Sequence, residues 1–397
     1  MAGSDILRAG GSIALALLAI SAWATEAPVP EGKSIGFALV TWAPAFNETP
    51  GAADECPSGM QHLNKENWAL QFPTVEQQDE ETKHYVQLGP DTPGGPIPEV
   101  YKQNRGPHGE NTTYNPWLVK DALPLLEVQS KIAYGLNLDG TVDGHATPTS
   151  CTHQKFVSPA GEPGVDNQLY RLIGCWPGWR KSGFNVSFHK GQFVEHTLNR
   201  ILIEVTGVDN EQNDDHVEVT IYKGIDQLTF DGASKPVPWL TQRIDTRFPQ
   251  YITKMPGKIV NGVLEAGPAN TRLPLFQMNA EAERLFRGMR LKLSLSNDGA
   301  EGLLTGYEDV NEWWRGIRNS YVEVVDTDGL WSPPSTYEGV HRLADGYPDP
   351  KTGQCTAISA VYKVTAVRVF LVQPPKNDPL LIDPITVLAK ERGIAVR

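Results

Sequence analysis

The sequence predicts a mainly β protein: an antiparallel sandwich or jelly-roll-like core with long loops and a few short helices. Three observations predict it. Residues 216–222 (HVEVTIY) alternate polar and apolar side chains, which places one set on a buried face. Glycine and proline number 37 and 31 of 397 residues, a share suited to short strands joined by turns. Gly, Asn or Asp separates most of the apolar runs in the second half of the chain, as sheet turns require.

The elements follow in order. Residues 34–41 (SIGFALVT) read as a first strand. Residues 56–110 are rich in Pro, Gly, Asn and charge and read as long loops, with four prolines in 90–98. Residues 116–128 have helical spacing that Pro124 ends or kinks. Residues 136–164 form a second loop region. Strand-like runs follow at 185–188, 193–205, 216–222, 227–230, 258–264, 289–295, 321–325 and 357–372. Two helices interrupt them. Residues 279–286 (NAEAERLF) carry a helix former at nearly every place, and 309–317 open on Asp309 as N-cap with Glu312 three residues on. A short helix is expected near 385–391. The expected organisation is a signal peptide at 1–24, a loop-rich region at 25–175 draping over or extending the sheets, a β-rich core at 176–373 and a tail at 374–397. Two domains split near Cys175 are the alternative.

The N-terminus has the form of a secretory signal. A weakly positive start carrying Arg8 precedes an apolar core at 13–20, and Ala22-Trp23-Ala24 offers the small residues of a cleavage site. The run is far shorter than the ~20 residues of a membrane span. The expected location is secreted or periplasmic, with no membrane span in the mature chain. The four cysteines, Cys56, Cys151, Cys175 and Cys355, then read as disulfides. Four cysteines allow three pairings that sequence alone does not separate. Proximity in the chain favours Cys151–Cys175, leaving Cys56–Cys355.

Composition excludes several functions. A net charge of −12 without a basic run argues against nucleic acid as a partner. There is no P-loop, no G-x-G-x-x-G after a strand and no C-x-x-C-H, so no nucleotide, haem or flavin is expected. There is also no G-x-S-x-G elbow and no H-E-x-x-H.

The sharpest local chemistry is a loop, DGTVDG at 139–144. Asp139, Thr141 and Asp143 offer oxygens at alternate positions before Gly144, like the front half of an EF-hand, so calcium is the candidate cofactor. The twelfth position is Ser150, where a bidentate glutamate belongs. Asp166 would approach this loop if Cys151 paired with Cys175. Asp326-Thr327-Asp328-Gly329 and Asp345-Gly346 are weaker cases of the same turn, and His145 and His153 flank Cys151 without a full transition-metal set. A second cluster holds Glu308, Asp309 and Glu312 beside Trp313 and Trp314. Two facing carboxyls with aromatic platforms are what glycoside hydrolysis needs, whereas core packing is the plainer use of tryptophan.

Two segments, LNLDGTVDG…C…GVDNQLYRLIGC at 136–175 and LADGYPDPKTGQCTAIS at 343–359, resemble segments of uncharacterised exported bacterial proteins. The resemblance covers under a fifth of the chain. It implies a bacterial periplasmic or extracellular setting and no activity. The reading that follows is an exported, disulfide-stabilised β-rich binding or envelope-associated protein, with a glycan or envelope partner and calcium as a stabiliser. The alternative is an extracellular polysaccharide-active enzyme using carboxylates near Trp313 and Trp314.

Overall fold

A computed structural model describes residues 33–62, 66, 69–70, 72–88, 112–120, 123–183, 185–187, 191, 199–277, 280–321 and 332–375. The signal peptide, the 326–329 loop and the C-terminal helix expected from the sequence lie outside them.

The strands are β1 (Lys33–Pro44), β2 (Phe156–Val157), β3 (Pro163–Val165), β4 (Ile201–Val208), β5 (Asn213–Lys223), β6 (Leu240–Arg243), β7 (Thr253–Val260), β8 (Val263–Gln277), β9 (Ala280–Leu295), β10 (Gly299–Asp309), β11 (Gly346–Pro348) and β12 (Cys355–Val372). The helices are α1 (Val75–Leu88), α2 (Gln168–Ile173), α3 (Val310–Tyr321) and α4 (Pro333–Arg342). The main sheet runs β1-β4-β5-β7-β8-β9-β10-β12, and β12 pairs back with β1. Eight antiparallel strands therefore close into a barrel rather than the two-sheet sandwich the sequence suggests. Closure leaves the eight strands without a free sheet edge. β1, from the loop-rich N-terminal region, is a stave of this barrel between β4 and β12.

The interior follows the two-residue period. Ile201, Ile203 and Val205 of β4, Val217, Val219 and Ile221 of β5, and Ile358, Ala360, Tyr362, Val364 and Ala366 of β12 are buried in one apolar cluster. An eight-stranded barrel is just wide enough for such side chains to fill. β12 is buried on both faces over Ala357 to Tyr362 and again over Ala366 to Val369, with Lys363 and Thr365 exposed between them. Val367 and Val369 pack outside with Ala38, Val40, Leu202 and Ile244, against which β6 lays a parallel strand.

Several elements differ from the sequence reading. Residues 258–264 are not one strand. Asn261 and Gly262 both have positive φ, 52° and 75°, and turn β7 into β8 with Val260 opposite Val263. Asn-Gly is the pair such a two-residue hairpin prefers. Residues 280–286 begin β9 instead of a helix, paired with β8 and β10. Their inward positions carry Arg284 as well as Phe286, so a charged residue interrupts the apolar alternation that would have marked a strand. The 116–128 run yields one 3-10 turn, Pro116–Leu118, and 227–230 forms no strand. β10 carries three glycines, at 299, 302 and 306, and so lacks the alternating pattern that marks a strand in sequence.

α3 is where the sequence expected a helix. Asp309 accepts from the backbone N–H groups of Asn311 and Glu312 at 3.1 Å and caps it. Val310, Trp313, Trp314 and Ile317 recur at helical spacing and bury one stripe against β9, β10 and β12. α2 and α4 pack beside it, so the three helices join the barrel's apolar cluster where β10 ends and β12 begins.

The disulfides are Cys56–Cys175 and Cys151–Cys355, with Cα separations of 5.7 and 6.1 Å. The expected pairing is overturned. α2 carries Cys175 to the 50–56 turn, where the Gln61 N–H bonds the Cys175 carbonyl. Cys151 is held instead beside β12, through its N–H to the Asp345 carbonyl at 2.8 Å.

Candidate functional site

The carboxylates beside the tryptophans are each engaged by partners within the fold. Trp313 and Trp314 are 2% and 4% exposed, buried in the core, and offer no platform to a sugar. Glu308 faces the barrel interior. It accepts from Tyr362 Oη at 2.5 Å and from Arg284 Nη1 at 3.2 Å. Burial pushes its carboxyl up and Arg284 pulls it back. Asp309 caps α3 and pairs with Arg287. Glu312 pairs with Arg315 one turn on. These three carboxyls are each committed to a different partner, and none faces another across a groove.

The calcium-like loop also distributes its oxygens. The Asp143 side chain is 75% exposed and bonds His145 Nδ1 at 2.6 Å. Its carboxyl is held below the usual range by that imidazole. Asp139 turns inward. Its Oδ1 accepts from Thr141 N at 2.8 Å, Thr141 Oγ1 at 2.9 Å and Lys155 Nζ at 2.6 Å. Asp139 and Asp143 therefore do not converge, and the cation beside Asp139 is an ammonium that the sequence reading missed.

Lys155 lies at the centre of a buried polar cluster on the outer wall of the barrel. Leu138 and Leu136 pack on Tyr307, Ala357 and Tyr347 there. Lys155 Nζ also bonds Asp166 Oδ1 at 2.5 Å, and its side chain is 5% exposed. Asp166 Oδ1 further accepts from His153 Nε2 at 2.7 Å, while its Oδ2 accepts from Leu138 N at 2.7 Å. His153 Nδ1 faces the Cys151 carbonyl at 2.7 Å. Both ring nitrogens thus meet acceptors, which favours the doubly protonated ring. Burial alone would lower the His153 pKa, but Asp166 and Asp345 raise it. Asp345 Oδ1 accepts from Ser359 N at 2.6 Å, and its Oδ2 stands 3.6 Å from His153 Nε2. Burial, with Asp166 nearby, pushes the Asp345 carboxyl up to about 7 against the pull of His153. Ligand atoms of Asp139, His153 and Asp166 lie within 4.8 Å of one another.

Backbone chemistry brings these groups together. Gly144 has φ +75°, and a Cβ there would meet the His153 carbonyl at 1.9 Å. Only glycine lets the 139–144 loop lie against the segment bearing His153 and Lys155. The Cys151–Cys355 bond and the Cys151–Asp345 backbone bond bring in Asp345. The two segments singled out in the sequence, 136–175 and 343–359, thus meet in this cluster. Asp166 does approach Asp139, though not through a Cys151–Cys175 bond. Lys155 gave no signal in the sequence because a single lysine in a polar loop looks like any solvated cation.

Beside this cluster opens a cleft of about 470 Å3, lined by Asn137, Asp215, Lys258, Glu265, Arg290 and Lys292 among others. Register explains the charges. Lys258 pairs across strands with Glu265, and Glu265 with Lys292, forming one exposed row. Lys258 and Lys292 share that glutamate at 3.3 and 3.8 Å. Arg290 bonds the Leu138 carbonyl through Nη2 at 3.4 Å, and its buried Nε has no hydrogen-bond partner.

Comparison with family models, with the curated proteins and with the solved structures finds no match to this chain.

Proposed function

We propose that the protein is an exported binding module that receives the anionic group of an envelope glycan, such as a uronic acid, in the cleft beside Arg290. The observation that carries this reading is the Arg290 Nε, a buried donor left without an acceptor in the cleft wall. A buried donor without a partner is costly, and the same guanidinium, which lines the cleft, has further donors that a ligand carboxylate would take in charge-assisted bonds. Lys258 and Lys292 share one glutamate, so the cleft carries three cations against Glu265 and Asp215. Export is supported by two long-range disulfides, which persist in oxidising compartments. No helix among the described residues is long and apolar enough to cross a membrane.

Isothermal titration calorimetry with a galacturonic acid trisaccharide and its neutral galactose counterpart tests the reading. The acidic sugar should bind and the neutral one should not. Arg290→Met should weaken binding about 10- to 150-fold, the worth of one charge-assisted bond at ~1.5–3 kcal/mol. Equal heats for both sugars, or an unchanged affinity in Arg290→Met, would overturn it.

A further inference from the structure

We propose that Lys155 and Asp139 condense into an intramolecular amide bond, with Asp166 transferring the protons. The starting state is a buried ion pair: Lys155 Nζ is 2.6 Å from Asp139 Oδ1 and 2.5 Å from Asp166 Oδ1, and both aspartate side chains are fully buried. The carbon to be attacked is one bond beyond the first of those oxygens.

The two carboxyls are dressed differently, which assigns their roles. Asp166 is bonded on both oxygens, by Lys155 and His153 on one and by Leu138 N on the other. It can take a proton and return it without losing its place. Asp139 is bonded on Oδ1 alone, and its buried Oδ2 has no hydrogen-bond partner. The Thr141 N–H and O–H on Oδ1 form a two-donor cradle for the oxyanion of a tetrahedral intermediate.

The steps balance. The ammonium gives a proton to Asp166, which passes it to Asp139 Oδ2, and the freed amine attacks the carbon of the now neutral carboxyl. A second nitrogen proton passes to the Oδ2 hydroxyl, and the C–Oδ2 bond breaks to release water. Ammonium and carboxylate become an amide and one water, with no oxidant or cofactor. The reaction removes two charges from a site where burial penalises both, and the oxygen that departs is the unpartnered one.

Mass spectrometry of the mature protein, reduced and alkylated, tests this. The chain should weigh one water less than its sequence. A tryptic digest should show residues 132–171 as one internally looped peptide, uncut after Lys155 and one water lighter than its sequence. Asp166→Asn should restore the full mass. Asp139→Asn should form the same bond with loss of ammonia instead of water and with Lys155 closed to acetylation, which separates it from a succinimide, since that also expels ammonia but leaves Lys155 free. A full-mass wild-type chain whose Lys155 is acetylated after denaturation overturns the proposal, whether or not the variants fold. So does a water loss that reverses in mild base with Lys155 free, which marks a succinimide at Asp139-Gly140.

Discussion

Replacing Arg284 by methionine isolates an ion pair that the barrel carries at its inward face beside α3. Arg284 and Glu308 are both buried, with side chains 6% and 1% exposed. Methionine keeps the aliphatic bulk and leaves Glu308 with Tyr362 alone. Stranding one partner of a buried pair costs about 3–5 kcal/mol, chiefly as the uncompensated charge. With ~2.1 cal/mol/K of unfolding entropy per residue over 397 residues, that is about 4–6 °C in melting temperature. The cost depends on pH with a definite sign. Burial already raises the Glu308 carboxyl, and losing Arg284 raises it further. A raised acid contributes its full stability below the unfolded value of ~4.3 and loses it as pH rises through the folded value. Arg284→Met should therefore be least impaired near pH 4 and most impaired at neutral pH. Adding Glu308→Leu should recover most of the loss, because an apolar replacement of both partners is near neutral. Circular dichroism melts at several pH values read both effects. A double variant no more stable than Arg284→Met would refute the reasoning.

Cysteine pairs should be separable by mutation. Cys56→Ser with Cys175→Ser, or Cys151→Ser with Cys355→Ser, should each cost up to ~5 kcal/mol in urea unfolding by the loop-entropy account, and non-reducing peptide maps should show no Cys151–Cys175 link. Stability should fall from about pH 5 to pH 8. Asp345 is raised to about 7, so its contribution is full below ~4 and lost by neutrality, and the raised His153 acts in the same sense above ~6.5. Asp345→Asn should flatten the urea midpoints across that window, and midpoints that rise with pH would contradict the assignment. Calcium at millimolar concentration should leave the melting temperature unchanged, because Lys155 occupies Asp139 and Asp143 faces solvent with His145. A calcium-dependent upward shift lost in Asp139→Ala with Asp143→Ala would show that the loop rearranges to bind the ion.

The strands with unbroken alternation, such as 216–222, were legible from sequence, and so was α3, with its cap and its apolar stripe. The closure of the barrel was not. It rests on β1 pairing with β12, residues more than 300 positions apart, and no local pattern encodes that. Residues 280–286 misled because Arg284 occupies an inward position and its neighbours favour helix in isolation. The Asn261-Gly262 dipeptide carries the hairpin signal, but the apolar residues on both sides of it also fit one uninterrupted strand. For the site, spacing pointed to Asp139, Thr141 and Asp143 around one ion, and the fold turns Asp139 inward to Lys155 while Asp143 bonds His145 at the surface. Alternate positions converge only if the backbone turns them together, and Gly140 and Gly144 turn this loop so that one carboxylate faces in and the other out. Lys155 and Arg290 join the sites through tertiary contacts and register, which residue type does not signal, whereas Asp345 stands in one of the Asp-Gly turns visible in the sequence.

The central functional claim is that the cleft between β7, β8, β9 and residues 136–137 is the binding surface. Hydrogen-exchange mass spectrometry of the mature protein, with and without a saturating galacturonic acid trisaccharide, tests it most directly. The account predicts added protection at residues 136–137, at the β8 irregularity spanning 266–269 and around Arg290, with the remaining strands unchanged. Protection confined to another face, or none at saturation, would contradict it.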